Sequence, residues 1–196
     1  MNSPGDGSQS PGVGDQATTW EFRRTRTTEG ILMNFVVDEV ETPSGGRMVR
    51  NYLEHPNAVG IIALDDRGRI GVESQYRHPV RHRLLEAPAG LCDQEEESLF
   101  ATAKRELAEE LSLSAQEWSI LVDVYSSPGS STQATRVFLA RGLTPTAQHL
   151  DAGEFLNVES FSLDELVARC LSGGVTDAKT LAAVLKYQVL RARGQI

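Results

Sequence analysis

Three glutamates, Glu106, Glu109 and Glu110, stand close together in the stretch Arg105-Glu106-Leu107-Ala108-Glu109-Glu110. In a helix, at about 100° per residue, they fall within roughly a 100° arc. Phe100, Ala103, Leu107 and Leu111 make an apolar stripe on the neighbouring arc. A helix here buries one side and gathers carboxylates on another. Like charges at this spacing repel by about a few tenths of a kcal/mol per pair. One reading is a solvated acidic face, eased by Arg105 pairing with Glu109 at i,i+4. The other is a set of hard oxygen ligands for Mg²⁺ or Mn²⁺, ions that take carboxylates and water and bridge substrate phosphates. The approach to the helix favours the second reading. Gly90 follows the turn-like run Ala87-Pro88-Ala89, and more acids gather at Asp93, Glu95, Glu96 and Glu97.

Gly90 to Leu113 resembles the Nudix box, G-x5-E-x7-R-E-U-x-E-E-x-G-U, where U is bulky and aliphatic. Glu97, Arg105, Glu106, Leu107, Glu109, Glu110 and Leu113 match. Two positions depart. The spacing from Gly90 to Glu97 is one residue longer than the pattern, and Ser112 stands in place of the second glycine. The insertion falls in a loop, so the register from Glu97 onward is kept. Ser112 disfavours the left-handed helix end that glycine permits, so a changed C-terminus is expected, with the site intact. Shorter segments resemble the ADP-ribose (nucleoside diphosphate sugar) pyrophosphatases of the superfamily. Gln75-Tyr76-Arg77 is similar to their Q-x-R strand end, and Glu86-Ala87-Pro88-Ala89-Gly90 to their E-x-P-A-G. Asp151-Ala152-Gly153-Glu154-Phe155 is similar to their acidic loop. In Ser127-Pro-Gly-Ser-Ser-Thr-Gln133, Thr132 and Gln133 stand where many relatives carry acids.

The resemblance implies a divalent-metal hydrolase that splits a diphosphate joining a nucleoside to another group. For ADP-ribose the products are AMP and ribose 5-phosphate. It implies Glu106 and Glu110 as ligands of Mg²⁺ (or Mn²⁺), with the Ala89 backbone carbonyl beside them. Glu109 is a ligand or activates water, and Arg105 orients a box carboxylate. Glu154 is the candidate late general base or metal-bound glutamate, set against an ordinary exposed loop acid. Arg77 is the candidate diphosphate contact, set against simple pairing with Glu73 or Glu86. Inside a regular helix Glu97 would face away from Glu106. It is therefore placed before or at the first turn, supporting the loop with Gly90. A domain that senses a nucleotide sugar without cleaving it is the main alternative, but such a domain has no need to hold three glutamates together. A third reading, hydrolysis of oxidised nucleoside triphosphates or dinucleotides, is less favoured by the N-terminal extension and the Glu154 loop.

The elements that position these residues follow from composition and pattern. The chain has 196 residues and a net charge of −8, with a pI near 5.0. The acidic balance argues against a general nucleic-acid or membrane-surface binder. No apolar run reaches the length of a membrane span, and the start lacks the pattern of a signal peptide. Cys92 and Cys170 lack metal-ligand spacing and fit reduced thiols in a cytoplasmic protein.

Residues 1–17 have almost nothing apolar to bury and are expected to be disordered. Residues 18–54 read as an antiparallel β-meander, with strands over Thr18–Arg26, Ile31–Glu41 and Arg47–Glu54. It has too few strands to stand alone and resembles the family's dimerising segment. Residues 55–196 are expected to form the Nudix hydrolase domain. Strands are predicted at Ala58–Leu64, Arg69–Tyr76, Leu84–Ala87, Trp118–Tyr125, Thr135–Ala140 and Phe155–Phe161. Ser162-Leu-Asp-Glu165 has the form of a capping box for a helix to about Leu171. Asp177–Arg193 is the last helix, with Leu181, Val184, Leu185 and Val189 on one side. The expected architecture is α/β: a mixed sheet between helices, an α/β/α sandwich, preceded by the meander.

Overall fold

The computed structural model describes residues 21–146 and 157–196. Three antiparallel strands, β1 (Phe22–Thr28), β2 (Asn34–Glu41) and β3 (Arg47–Glu54), form a small sheet in that order. Thr42 closes the β2–β3 turn by accepting Gly45 N at its carbonyl and Gly46 N at its hydroxyl. Alternate β2 residues Val36, Asp38 and Val40 are buried, as the period-two pleat requires. β1 is exposed along its whole length.

The other strands are β4 (Ala58–Leu64), β5 (Arg69–Arg77), β6 (His82–Glu86), β7 (Ala89–Leu91), β8 (Leu113–Val124), β9 (Thr135–Pro145) and β10 (Asn157–Ser162). They form one seven-stranded sheet ordered β10-β5-β4-β9-β8, with β6 beside β5 and β7 beside β4. β4 and β9 run parallel, and the remaining neighbours are antiparallel. The sheet is therefore mixed, as expected.

Alternation along the central strands sorts the core into two layers. Val59, Ile61, Ala63, Phe138 and Ala140 pack with Ala103 and Leu107 of α1 (Leu99–Leu111). Ile62, Val137 and Leu139 point the other way, onto Leu163, Leu166, Ala183, Val184 and Tyr187 of α2 (Leu163–Ser172) and α3 (Ala178–Ala192). Burying both faces explains why β4 reads as a continuous apolar run. α2 opens with the expected capping box: Ser162 Oγ accepts Glu165 N at 3.3 Å, and Glu165 Oε2 accepts Ser162 N at 2.7 Å.

Several expectations are corrected. β8 starts five residues before Trp118 and β9 runs five beyond Ala140; the added arms pair with each other, Leu113 with Pro145 and Glu117 with Arg141. They are half exposed, with Leu113, Ala115 and Leu143 packed against the α1 layer of the core. β7 forms within what reads as a turn, because Ala58, Val59 and Gly60 of β4 pair with it. On α3 the buried side is Thr180, Ala183, Val184 and Tyr187, whereas Val189 is exposed.

Candidate active site

The site grows from α1 and the loop before it. Ser98 caps the helix, its side chain accepting Ala101 N at 3.2 Å. The extra loop residue is absorbed ahead of this cap, where Glu96 adopts a positive φ of 61°. Glu97 therefore sits outside the helix, as its unfavourable helical phase requires. Its carboxylate accepts from Thr102 Oγ1 at 3.0 Å and from Arg105 Nε and Nη2, both at 3.2 Å.

Arg105 is the hub of the carboxylates. Its Nη1 donates to Glu106 Oε1 at 2.7 Å and to Glu109 Oε2 at 2.8 Å. Nη2 also reaches the Leu91 carbonyl at 3.4 Å, tying the helix to β7. Burial works to lower the pKa of Arg105, but the bond to Glu97 and the charges of Glu106 and Glu109 outweigh it and raise the pKa above its ordinary value. Arg105 is therefore a permanent cation. One guanidinium thus joins three of the four box glutamates, Glu97, Glu106 and Glu109.

Two carboxylates converge on the backbone of Ala89 and Gly90. Glu110 is 1% exposed, and its Oε2 accepts Ala89 N at 2.8 Å. Glu106 is 7% exposed. Its side chain lies so close over Gly90 that a Cβ there would overlap Oε1, Cδ and Cγ. Only glycine leaves room for this carboxylate. Among the described residues no three His, Cys, Asp or Glu side chains stand together as a ready-made ligand set. The donors that meet here are two buried carboxylates and a backbone turn. Such hard oxygen donors fit a divalent ion that keeps part of its water shell.

Arg77 ends β5 on the other side of this turn. Its Nε and Nη2 donate to Glu86 Oε1 and Oε2 at 2.8 and 2.9 Å, a bidentate pair. Lys179 Nζ reaches the same Oε2 at 2.5 Å. Burial pushes the Glu86 carboxyl up, but Arg77 and Lys179 together hold it below the usual range. Thr180 Oγ1 accepts Ala87 N at 2.8 Å. Lys179 and Thr180 do not stand out in the sequence, because their partners lie 93 residues away. Glu154 lies outside the described residues.

A mixed sheet thus lies between helices, with the glutamate-bearing α1 facing a glycine turn. The NUDIX domain family matches residues 54–184, and the chain belongs to this family. It is 41% identical over 160 residues to the ADP-ribose pyrophosphatase of Mycobacterium tuberculosis, covering 80% of this chain and 76% of that protein. It is 34% identical over 165 residues to the ADP-ribose pyrophosphatase of Bacillus subtilis, covering 83% and 89%. The methanol dehydrogenase activator of Bacillus methanolicus is 32% identical over a stretch of the same length, again covering 83% and 89%. A crystal structure of an ADP compounds hydrolase shares the fold, with a TM-score of 0.77 at 20% identity, covering 94% of this chain and 100% of that one.

Proposed function

We propose that this protein hydrolyses the diphosphate of ADP-ribose or a related nucleoside diphosphate sugar. Water adds to one phosphorus, the bridging P–O bond breaks, and the bridging oxygen leaves with its electron pair on the other phosphate. The products are a nucleoside monophosphate and a sugar phosphate. The observation that carries this reading is the convergence of Glu106 and Glu110 on the Ala89-Gly90 turn. The two ADP-ribose pyrophosphatases among its relatives support the substrate.

Glu106, Glu110 and the Ala89 carbonyl would hold Mg²⁺ or Mn²⁺, which when bound neutralises phosphate oxygens and lowers the pKa of a ligated water. The chain's own residues orient and exclude. Arg105, anchored by Glu97, fixes the carboxylates of Glu106 and Glu109. Glu109 completes the ligands or takes the water proton, a part open also to Glu154. Arg77 presents a guanidinium to the diphosphate, a group it matches in charge and geometry. Residues 55–196 act as the hydrolase domain. Residues 18–54 join two copies into a homodimer. Two unpaired cysteines fit work in the reducing cytoplasm.

The test is product formation with Mg²⁺ from ADP-ribose, ADP-glucose, GDP-mannose, NADH, diadenosine polyphosphates and 8-oxo-dGTP. The expected result is AMP from ADP-ribose, abolished by EDTA. Glu110→Gln is expected to cut turnover by at least about 100-fold, the scale of losing one electrostatic stabiliser, while its circular dichroism stays native. Preference for 8-oxo-dGTP would overturn the substrate class. Tight ADP-ribose binding without turnover would establish a sensor instead.

A further inference from the structure

The hairpin that joins β5 to β6 concentrates positive charge in an acidic chain. Arg77-His78-Pro79-Val80-Arg81-His82-Arg83 holds three arginines, two histidines and no acid, while the whole chain carries −8. Residues 78–83 are all exposed. Several cations elsewhere sit against acids: Arg23 on Glu39, Arg24 on Glu54, Arg69 on Glu165 and Arg136 on Asp123. In the hairpin, Glu86 holds Arg77 at the root, and Arg83 bonds Ser74. Arg81, at the tip, has no ion pair among the described residues.

The backbone does not account for an arginine at the tip. Arg81 has a φ of 60°, in the left-handed region that glycine adopts freely and other residues adopt under strain. The turn is nevertheless ordered. Arg81 N donates to the Arg77 carbonyl at 2.9 Å and to the His78 carbonyl at 3.2 Å. His82 Nδ1 donates to the Val80 carbonyl at 2.8 Å. A charged side chain is thus held in solvent where glycine would suit the turn better.

Topology aims this charge at the site. β5 runs antiparallel to β4, with Gly71 opposite Ala63, so its end at Arg77 lies level with the start of β4. There Ala58, Val59 and Gly60 pair with Leu91, Gly90 and Ala89. That is the turn on which Glu106 and Glu110 converge. The hairpin therefore projects from the same end of the sheet as the site. A net-negative protein repels an approaching diphosphate, and a local positive patch beside the site reverses the field along one approach.

We propose that the β5–β6 hairpin is the electrostatic entry to the active site: Arg81 draws anionic nucleoside diphosphates toward Arg77 before any contact forms. This role rests on the reading of the site as one for nucleoside diphosphates. The test follows association by stopped flow, mixing the full chain and Mg²⁺ with ADP that carries a fluorescent methylanthraniloyl group. At about 0.1 M NaCl, Arg81→Glu should associate about threefold more slowly than wild type. Arg81→Gly should fall between the two, and Arg81→Lys should match wild type. At about 1 M NaCl the four rates should converge. Arg81→Gly should melt no lower than wild type, because glycine accepts the positive φ, so lost folding does not explain its slower association. Arg67→Glu makes the same change of charge in the exposed turn at the far end of β5. That strand has nine residues and spans roughly 26 Å, so Arg67→Glu should leave the rate unchanged. For ADP-ribose, kcat/KM should follow the order of the association rates, with kcat within about twofold of wild type.

An Arg81→Glu rate equal to wild type at about 0.1 M NaCl overturns the entry role. So does a slowing that persists at about 1 M, which marks a direct contact, or an equal slowing in Arg67→Glu, which marks net charge alone. If ADP-ribose is cleaved but the fluorescent ADP does not bind, kcat/KM across the same series decides. Cleavage with no dependence on the charge at position 81 overturns the entry role and leaves the hydrolase standing. Association ordered by that charge, without cleavage of ADP-ribose, does the reverse. A wild type that neither binds the fluorescent ADP nor cleaves ADP-ribose overturns both.

Discussion

Gly90 sets the geometry at the scale of single residues. Its lack of a side chain is what lets the Glu106 carboxylate lie against the turn beside Ala89. A methyl group there meets Cγ and Cδ as well as the terminal oxygen, so rotating the carboxylate alone cannot relieve the overlap. Glu106 must leave its rotamer or the turn must move. Displacing a catalytic group by about 1 Å costs roughly 100-fold in rate. We therefore expect Gly90→Ala to keep a native circular dichroism spectrum and to lose at least about 100-fold in ADP-ribose turnover. Turnover within a few-fold of wild type would show that Glu106 does not act from over Gly90. Arg105 sets a second constraint at this scale. As a permanent cation bonded to Glu97, Glu106 and Glu109, it holds these carboxylates together against their mutual repulsion.

At the scale of elements, α1 carries the site and its C-terminus carries strain. Ser112 takes the left-handed conformation, φ 57° and ψ 38°, that glycine adopts at low cost. The sequence suggests that serine would alter this helix end. Instead the end is kept, because Ser112 N reaches the Ala108 and Leu107 carbonyls and its own carbonyl accepts Thr146 N at 2.9 Å. Left-handed backbone costs a non-glycine residue about 1–2 kcal/mol. Ser112→Gly should therefore stabilise the protein by about 1 kcal/mol, raising Tm by about 2–4 °C; calorimetry showing no gain would mean that other contacts already relieve the strain. The same helix shows what could be read from the chain and what could not. Its amphipathic stripe, the loop position of Glu97 and the capping box of α2 rest on local spacing, and each was legible. The β7 strand, the outer arms of β8 and β9 and the grip of Lys179 and Thr180 on Glu86 and Ala87 depend on partners far away in the chain. No local periodicity records such pairings.

At the scale of the whole molecule, the two sheets of the described residues are joined at the edge of β3. Leu53 N donates to Ser130 O at 2.8 Å, and Thr132 N donates back to Leu53 O at 3.0 Å. His55 N reaches Thr132 Oγ1, and Gln133 Nε2 meets His55 Nδ1 at 2.7 Å. Thr132 and Gln133 thus fasten the loop to the small sheet and the residues just after it. This loop covers one end of β3, while β1, at the far side of the sheet, is exposed throughout. Phe22, Ile31, Leu32 and Val49 are also exposed, Ile31 completely. A three-stranded sheet with an open edge and exposed apolar side chains invites pairing, and a second copy of the same sheet offers a matching surface about a two-fold axis. Sedimentation at about 10 µM should show a dimer. Ile31→Asp combined with Leu32→Asp places charge on that surface without touching the core layers around β4, and should give a folded monomer. Deleting residues 18–54 should give monomer or aggregate, because it also strips β3 from the Ser127–Gln133 loop. A wild-type monomer at that concentration, or a charged variant that remains dimeric, would exclude the small sheet as the joint between copies.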